Sequence, residues 1–423
     1  MSTGTPPRFA LRGVQVAGGA VVLYALTGVA NVLAFGYQFV MPRLLVPAEY
    51  AILTQLFGVL LVESIGTQVI QTATAKLAAQ YRAREDSAAL HVFVRRWMLR
   101  LAAVGAGAAA IVVALAGPIG GALALTAPLV LLLAATLFLT VLLTFALGLL
   151  QGLARFAWLG STLVAQAATR LALGAALVLV FGGVLAAFVG ATVAIAVALL
   201  IALAALAPLL RAARSAAVEA HLAPGETSFF LRAGLVILAY AGLTNVDAVL
   251  ARVVLSEESA GAYAGAITMG KVVLFAPIAV GFILLERTAR AHERGLATER
   301  YLWLSLGFVL ATSGAAALAY AVAPALFVRL VVGEQYPGAV SLVTLYGAAA
   351  LLNALLTIWY SYFIGIGDTR IGYLLALGAI VETAALLALA RDPVTMVTIV
   401  LTVAAATQTG AVLAYLTRER RRA

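Results

Sequence analysis

The sequence predicts an all-α integral membrane protein of twelve transmembrane helices in two six-helix lobes. Three observations lead there: too much apolar content for water, apolar runs of spanning length, and a short motif written twice about half a chain apart. The 423 residues are 64% apolar and only 10% charged, with a mean hydropathy of +1.09. A soluble domain carries about 45–50% apolar and about 25% charged residues, so this chain needs lipid as its solvent. Lipid admits only helices or closed barrels, because no water is present to satisfy backbone groups. The Leu/Ala/Val/Gly runs lack the alternating polar positions of a barrel strand, which leaves helices.

The elements follow in order. Apolar segments of spanning length fall at roughly 14–40, 51–76, 97–121, 127–150, 158–181, 184–208, 231–254, 261–285, 302–325, 339–364, 371–390 and 394–416. Short polar stretches separate them, among them "AQYRAREDS", "QGLARF" and "ERTARAHERGLATER". The polar, basic start "MSTGTPPRFALRG" leads into an apolar run too long for a signal-peptide core, so a retained first helix is expected. With the N-terminus in the cytoplasm, 21 of the 27 basic residues collect on the cytoplasmic side. Four (Arg43, Arg252, Arg329, Arg391) collect on the other, while Arg170 and Lys271 lie inside spans. This bias predicts a multi-pass protein of the inner (cytoplasmic) membrane with both termini cytoplasmic. Trp97, Trp158, Trp303 and Trp359 all fall near that face, where indole sits well.

The duplicated motif sets the domain organisation. "PRLLVPAEY" (42–50) is echoed by "ARVVLSEESAGAY" (251–263): an Arg, three branched apolar residues, and a Glu six positions after the Arg. A second echo pairs "LQGLARF" (150–156) with "GIGDTRI" (365–371), each with Gly-x-x-Arg at a cytoplasmic turn. Arg43 to Arg252 is 209 residues and Arg155 to Arg370 is 215. Self-similarity at a fixed period is the mark of a repeat architecture. Six helices separate the copies, so both halves enter the membrane in the same sense. The lobes, 1–215 and 216–423, are therefore expected to be related by a pseudo-two-fold axis along the membrane normal. Each Arg–Glu pair reads as a staple across its outer turn.

Several functions are excluded by what is missing. There is no Cys, so thiolate chemistry and disulfides are absent, and His91, His221 and His292 fall in separate polar segments. No metal or other cofactor is implied. The net charge of +10 lies where topology signals beside anionic lipid belong, which removes nucleic acid as a partner. An integral-membrane glycan enzyme would need a catalytic constellation at a membrane face. The outer loops are short, "AGPIGGALALTAP" (116–128) has no ionisable residue, and no acid–base pair stands out.

The sequence resembles the multidrug/oligosaccharidyl-lipid/polysaccharide (MOP) exporter superfamily, and within it the polysaccharide or O-antigen flippases. "RLLVPAEYAILTQLFGVLL" (43–61), "QTATAKLAAQYRA" (71–83), "LTNVDAVLARVVLSEESAGAYAGAITMGKVVLFAPIAV" (243–280) and "VVGEQYPGAVSLVTLY" (331–346) carry the resemblance, in order and along essentially the whole chain. It implies a V-shaped central cavity lined mainly by helices 1, 2, 7 and 8, alternating access, and a lipid-linked saccharide as cargo. Expected partners are that cargo, membrane lipids and glycan-assembly enzymes, with H⁺ or Na⁺ as the coupling ion. A cation-coupled multidrug or small-molecule antiporter of the same superfamily is the alternative. The drug branch often places an acidic coupling residue in helix 1; here helix 1 offers Asn31 and Gln38 but no carboxylate.

Ionisable groups inside a span are costly and so are candidates for function. They are Glu63, Arg170, Asp247, Lys271 and Glu382. Asp247 lies eleven residues before Glu258 and Lys271 thirteen after it, at nearly one depth by the ~1.5 Å helical rise, so an ion pair is geometrically open to them. One reading gives Arg170 and Lys271 the phosphate oxygens of the cargo. In it Glu63, Asp247 or Glu382 exchanges the coupling ion. The other reading has Asp247 and Lys271 neutralise each other and fix helix packing, with Arg170 and Glu382 also structural. Gln38, Gln68 and Gln71 either line the path or bond between helices. Pro277 is expected to kink helix 8 and to serve as a gate.

Overall fold

The computed structural model describes residues 8–214, 226–293 and 296–420. Among them every regular element is helical. Twelve long helices carry the fold: α1 (Arg8–Leu44), α2 (Pro47–Ala83), α3 (Ser87–Ala114), α5 (Ala127–Gly152), α6 (Phe156–Phe181), α7 (Gly183–Arg214), α8 (Glu226–Val254), α9 (Glu257–Glu293), α10 (Glu299–Val322), α12 (Val340–Gly365), α13 (Ile371–Leu389) and α14 (Pro393–Arg420). Nine of them, among the described residues, are long and apolar enough to cross a membrane. The other three, α2, α8 and α9, contain Glu63, Asp247 and Lys271, three of the five ionisable residues expected inside spans. Two short helices were not foreseen, α4 (Ala116–Leu123) and α11 (Pro324–Val331). They occupy the same place in the two halves, directly after the third and ninth long helices. Pro324 makes the second break, since it lacks an N–H and disfavours helical backbone at Ala323, whose φ is −139°.

The repeat expected from two motifs runs through the packing itself. Gly160 on α6 lies so close to α1 that a Cβ there would come within 2.6 Å of Leu26; Gly372 on α13 has the same relation to Val236 on α8, within 2.8 Å. From Gly160 to Gly372 is 212 residues and from Leu26 to Val236 is 210. Likewise Gly152 on α5 meets Ala75 of α2, and Gly365 on α12 meets Leu285 and Thr288 of α9. Gly152 to Gly365 and Ala75 to Thr288 are both 213. Small residues allow this close approach, which drives helix association where lipid removes the hydrophobic contrast.

Contacts divide the chain into two compact units: residues 1–40, 66–121 and 125–224 form the first, and 41–65, 122–124 and 225–423 the second. This grouping by packing differs from the expected lobes at 1–215 and 216–423, since it assigns 41–65 and 122–124 to the second unit. The first unit is held by an alanine stripe on α7 (Ala187, Ala191, Ala194, Ala198, Ala202, Ala205), buried at helical spacing, together with Phe93, Phe145 and Leu149. The apolar end of α6 faces outward instead, with Phe181 76% exposed, as lipid permits. The second unit centres on an aromatic cluster in which Trp359, Tyr362 and Phe363 of α12 meet Tyr415 of α14.

The expected turn staples are replaced. Arg43 does not reach Glu49; its guanidinium donates to the last carbonyls of α11, Val331 O at 2.7 Å and Leu330 O at 2.5 Å. Those carbonyls end an eight-residue helix and have no partner further along it, so a cation is the natural cap. Arg252 does span its own turn, but to Glu257 at 3.5 Å rather than Glu258.

Candidate functional site

Three of the predicted charges fall into two polar pairs, one in each unit, and both pairs are built by equivalent helices of the two halves. In the second unit, α8 and α13 pack through Gly372 on Val236 and bring Asp247 and Glu382 together. Asp247 is 1% exposed and its Oδ2 accepts two phenol hydroxyls, Tyr346 at 2.7 Å and Tyr263 at 3.0 Å. The two rings meet edge to face at 5.7 Å. Gly270 makes room for this arrangement, since any side chain there would collide with the Tyr346 ring. Glu382 is equally buried, stands within electrostatic reach of Asp247, and has one carboxylate oxygen without a hydrogen-bond partner.

The ion pair between Asp247 and Lys271 is not formed. Lys271 attracts Asp247 electrostatically, but the carboxylate's close partners are the two tyrosines. Matching depth along two helices does not by itself bring two side chains together, since the direction in which each leaves its helix matters as well. Tyr263 and Tyr346 are two of 14 tyrosines, and no local pattern in the sequence sets them apart as donors to Asp247.

In the first unit the equivalent helices α1 and α6 hold Tyr37 and Arg170. The Arg170 guanidinium carbon lies 5.0 Å from the centroid of the Tyr37 ring, a cation–π contact, and Tyr37 is 1% exposed. The correspondence is close: Tyr37 to Asp247 is 210 residues and Arg170 to Glu382 is 212. Each half thus keeps a buried polar pair at one place in the repeat, a base on an aromatic ring in the first and two acids in the second.

The remaining candidates do not join either pair. Glu63 sits on α2 with both carboxylate oxygens shielded from solvent and without a hydrogen-bond partner. Asn31 and Gln68 are exposed and Gln38 is partly buried. Gln71 bonds Gln151 across α2 and α5 at 3.1 Å, so for this residue bonding between helices is what the structure contains. The side chain of Pro277 lies outside the described residues. Among the described residues no group of three or more His, Asp or Glu is placed to hold a metal ion.

The architecture has well-defined relatives. An inward-facing multidrug-resistance MATE transporter of the MOP superfamily superposes with a TM-score of 0.73 at 14% identity, over 96% of this chain and 100% of that one. The lipid II flippase MurJ gives 0.68 at 10% identity, over 93% and 87%. A MOP-superfamily transporter from Pyrococcus furiosus, described as having a binding pocket of reversed polarity, gives 0.59 at 14%, over 95% and 94%. The chain has the same fold as these three proteins. No protein-family model matches the sequence, and no curated protein matches it either. The all-α, two-lobed, multi-pass architecture expected from the sequence is thereby found.

Proposed function

We propose that the protein moves a polyprenyl-phosphate-linked saccharide from the cytoplasmic to the outer leaflet of the inner membrane by alternating access, coupled to H⁺ or Na⁺. The physical task is to carry a polar head group through a ~30 Å hydrocarbon core while its lipid tail stays in the bilayer. The observation that carries the reading is the base Arg170 at the position where the second half keeps its acids. A guanidinium away from water makes strong, paired hydrogen bonds to phosphate oxygens, which a purely acidic transporter could not offer. Lys271 is the second base in this reading, and Asn31, Gln38 and Gln68 face the saccharide. Two carboxyls as deep as Asp247 and Glu382 and within each other's reach carry a proton or a cation between them. They take the role of ion site, and no step of the cycle requires catalysis of a covalent bond.

A cation-coupled multidrug exporter is the second reading, favoured by that same acid pair. The test is transport in liposomes. Purified protein is offered a fluorescent polyprenyl-diphosphate sugar and, separately, a cationic dye, with and without a proton or Na⁺ gradient. Protein-dependent movement of the sugar lipid, reduced at least tenfold in Arg170→Ala, is the expected result. Movement of the dye alone overturns the flippase reading in favour of drug export.

A further inference from the structure

Residues 41–65, the turn of α1 into α2 and the first half of α2, belong by packing to the second unit. They are fastened to it along their length. At the tip the two helix ends cap each other. Arg43, at the end of α1, bonds the terminal carbonyls of α11, while Tyr336, after α11, donates to Pro42 O of α1 at 2.9 Å. Gln335 adds bonds to Pro42 O and Leu45 O. Further in, the Tyr50 and Thr268 hydroxyls bond at 2.6 Å, and Gln55 donates to Val249 O at 2.8 Å and Leu123 O at 2.9 Å. Gly58 then lies flush on Ala248 and Val249 of α8. Each of these hydrogen bonds is of modest net strength, so the fastening is reversible.

Glu63 is the exception. It follows the last of these contacts and stands just before residue 66, where α2 passes into the first unit. Its two carboxylate oxygens are closed off from solvent and accept no hydrogen bond. A bare carboxylate there would be an uncompensated buried charge. The charged and titratable groups on α8 and α9 do not relieve it. Asp247 is turned to Tyr263 and Tyr346, Tyr240 to Asn353 and Thr357, and Arg252 to Glu257. Among the described residues none of these side chains, nor Lys271, hydrogen-bonds the Glu63 carboxyl. Nor is the residue a relic of the repeat: the matching stretch of α9, 272–278, contains no ionisable residue. A cation such as Na⁺ asks for several oxygen ligands, whereas a lone carboxyl takes a proton.

We infer that Glu63 is a proton-binding site whose occupancy holds the 41–65 segment on the second unit, and whose ionisation releases it. The sign follows from which state binds the proton. The fastened state holds it and the released state exchanges it with water, so rising pH favours release. This deepens the ion-coupling part of the proposed function, but the test below uses no cargo, so either can fail without the other.

The chain has no cysteine, which permits clean labelling. Cysteines at Val46, 58% exposed, and at Glu334, whose side chain is 71% exposed, would carry pyrene in proteoliposomes. The excimer-to-monomer ratio then reports the fastened tip. It is expected to fall as pH rises, to stay high and flat in Glu63→Gln, and to keep titrating in Glu63→Asp. Arg43→Ala should lower the fastened-to-released ratio about tenfold at every pH while leaving the titration in place. A flat response in the parent, an unchanged titration in Glu63→Gln, a shift with Na⁺ at constant pH, or an unaltered ratio in Arg43→Ala would each overturn the inference.

Discussion

Asp247 shows how a membrane interior changes the value of a single hydroxyl. In water a phenol bonded to a carboxylate replaces one solvent bond by another. Here the Tyr346 and Tyr263 hydroxyls are the donors that reach Oδ2, and they converge on one oxygen. Removing a partner of a buried polar group costs about 1–3 kcal/mol, so Tyr346→Phe is expected to lower stability by an amount in that range. Tyr263→Phe should cost somewhat less, through the longer bond. The double variant should exceed the sum of the two, because the first substitution leaves one donor and the second leaves none. Groups sharing a partner are coupled in this way. Thermal unfolding of the purified proteins in one detergent measures it, and strict additivity would show that the two tyrosines act independently of Asp247.

At the scale of elements, close approach and end-capping decide where helices sit. A Cβ at Gly152 would stand 2.4 Å from the Ala75 carbonyl oxygen, whereas at Gly365 the nearest atom, in the Thr288 side chain, is 3.0 Å away. Gly152→Ala is therefore expected to destabilise the first unit by about 1–3 kcal/mol, the usual cost of overpacking, and Gly365→Ala by less. Yield and unfolding temperature would separate them. The start of α14 makes a pH-dependent case. Asp392 accepts from the Thr395 hydroxyl and from the Thr395 and Val394 N–H groups, and these bonds hold its carboxyl below the ordinary aspartate range. A lowered value in the folded state means the cap is intact above the unfolded value and is lost as pH falls through the lowered one. Asp392→Ala should lower the unfolding temperature at neutral pH and remove that acid sensitivity, while Asp392→Asn, also a good cap, should keep most of the stability. Much of this level was legible in the sequence: twelve long helices and their order follow from apolar runs, and two echoes point to the repeat. The short helices α4 and α11 were not, because each continues an apolar run without a polar break. The fate of Arg43 was hidden as well. Its partners are backbone carbonyls nearly three hundred residues away, and carbonyls leave no trace in a residue pattern. Of the site, the five charges could be read directly, yet their true partners (Tyr37, Tyr263, Tyr346) are neutral at sequence level and were reached only through packing.

For the whole molecule, the two halves carry polar pairs of opposite polarity at positions 210 and 212 residues apart. Both halves set a buried polar pair between the first and fifth long helices of the repeat. Arg170 over Tyr37 occupies the first, and Asp247 with Glu382 the second. If the base serves the anionic cargo and the acids serve the coupling ion, the two functions should fail separately. Arg170→Gln keeps a polar side chain but removes the charge, so sugar-lipid transport should saturate only at substantially higher cargo concentration while its response to a gradient persists. Arg170→Lys should recover part of the loss, since it restores the charge but not the planar stacking on Tyr37. Asp247→Asn should do the converse, leaving cargo concentration dependence near that of the parent and flattening the response to a proton or Na⁺ gradient. Liposome transport measured over cargo concentration, each at zero and imposed gradient, distinguishes these patterns. Loss of both properties together in either variant would mean that the polar pairs are structural pins of their lobes, and the division of labour between the repeats would have to be abandoned.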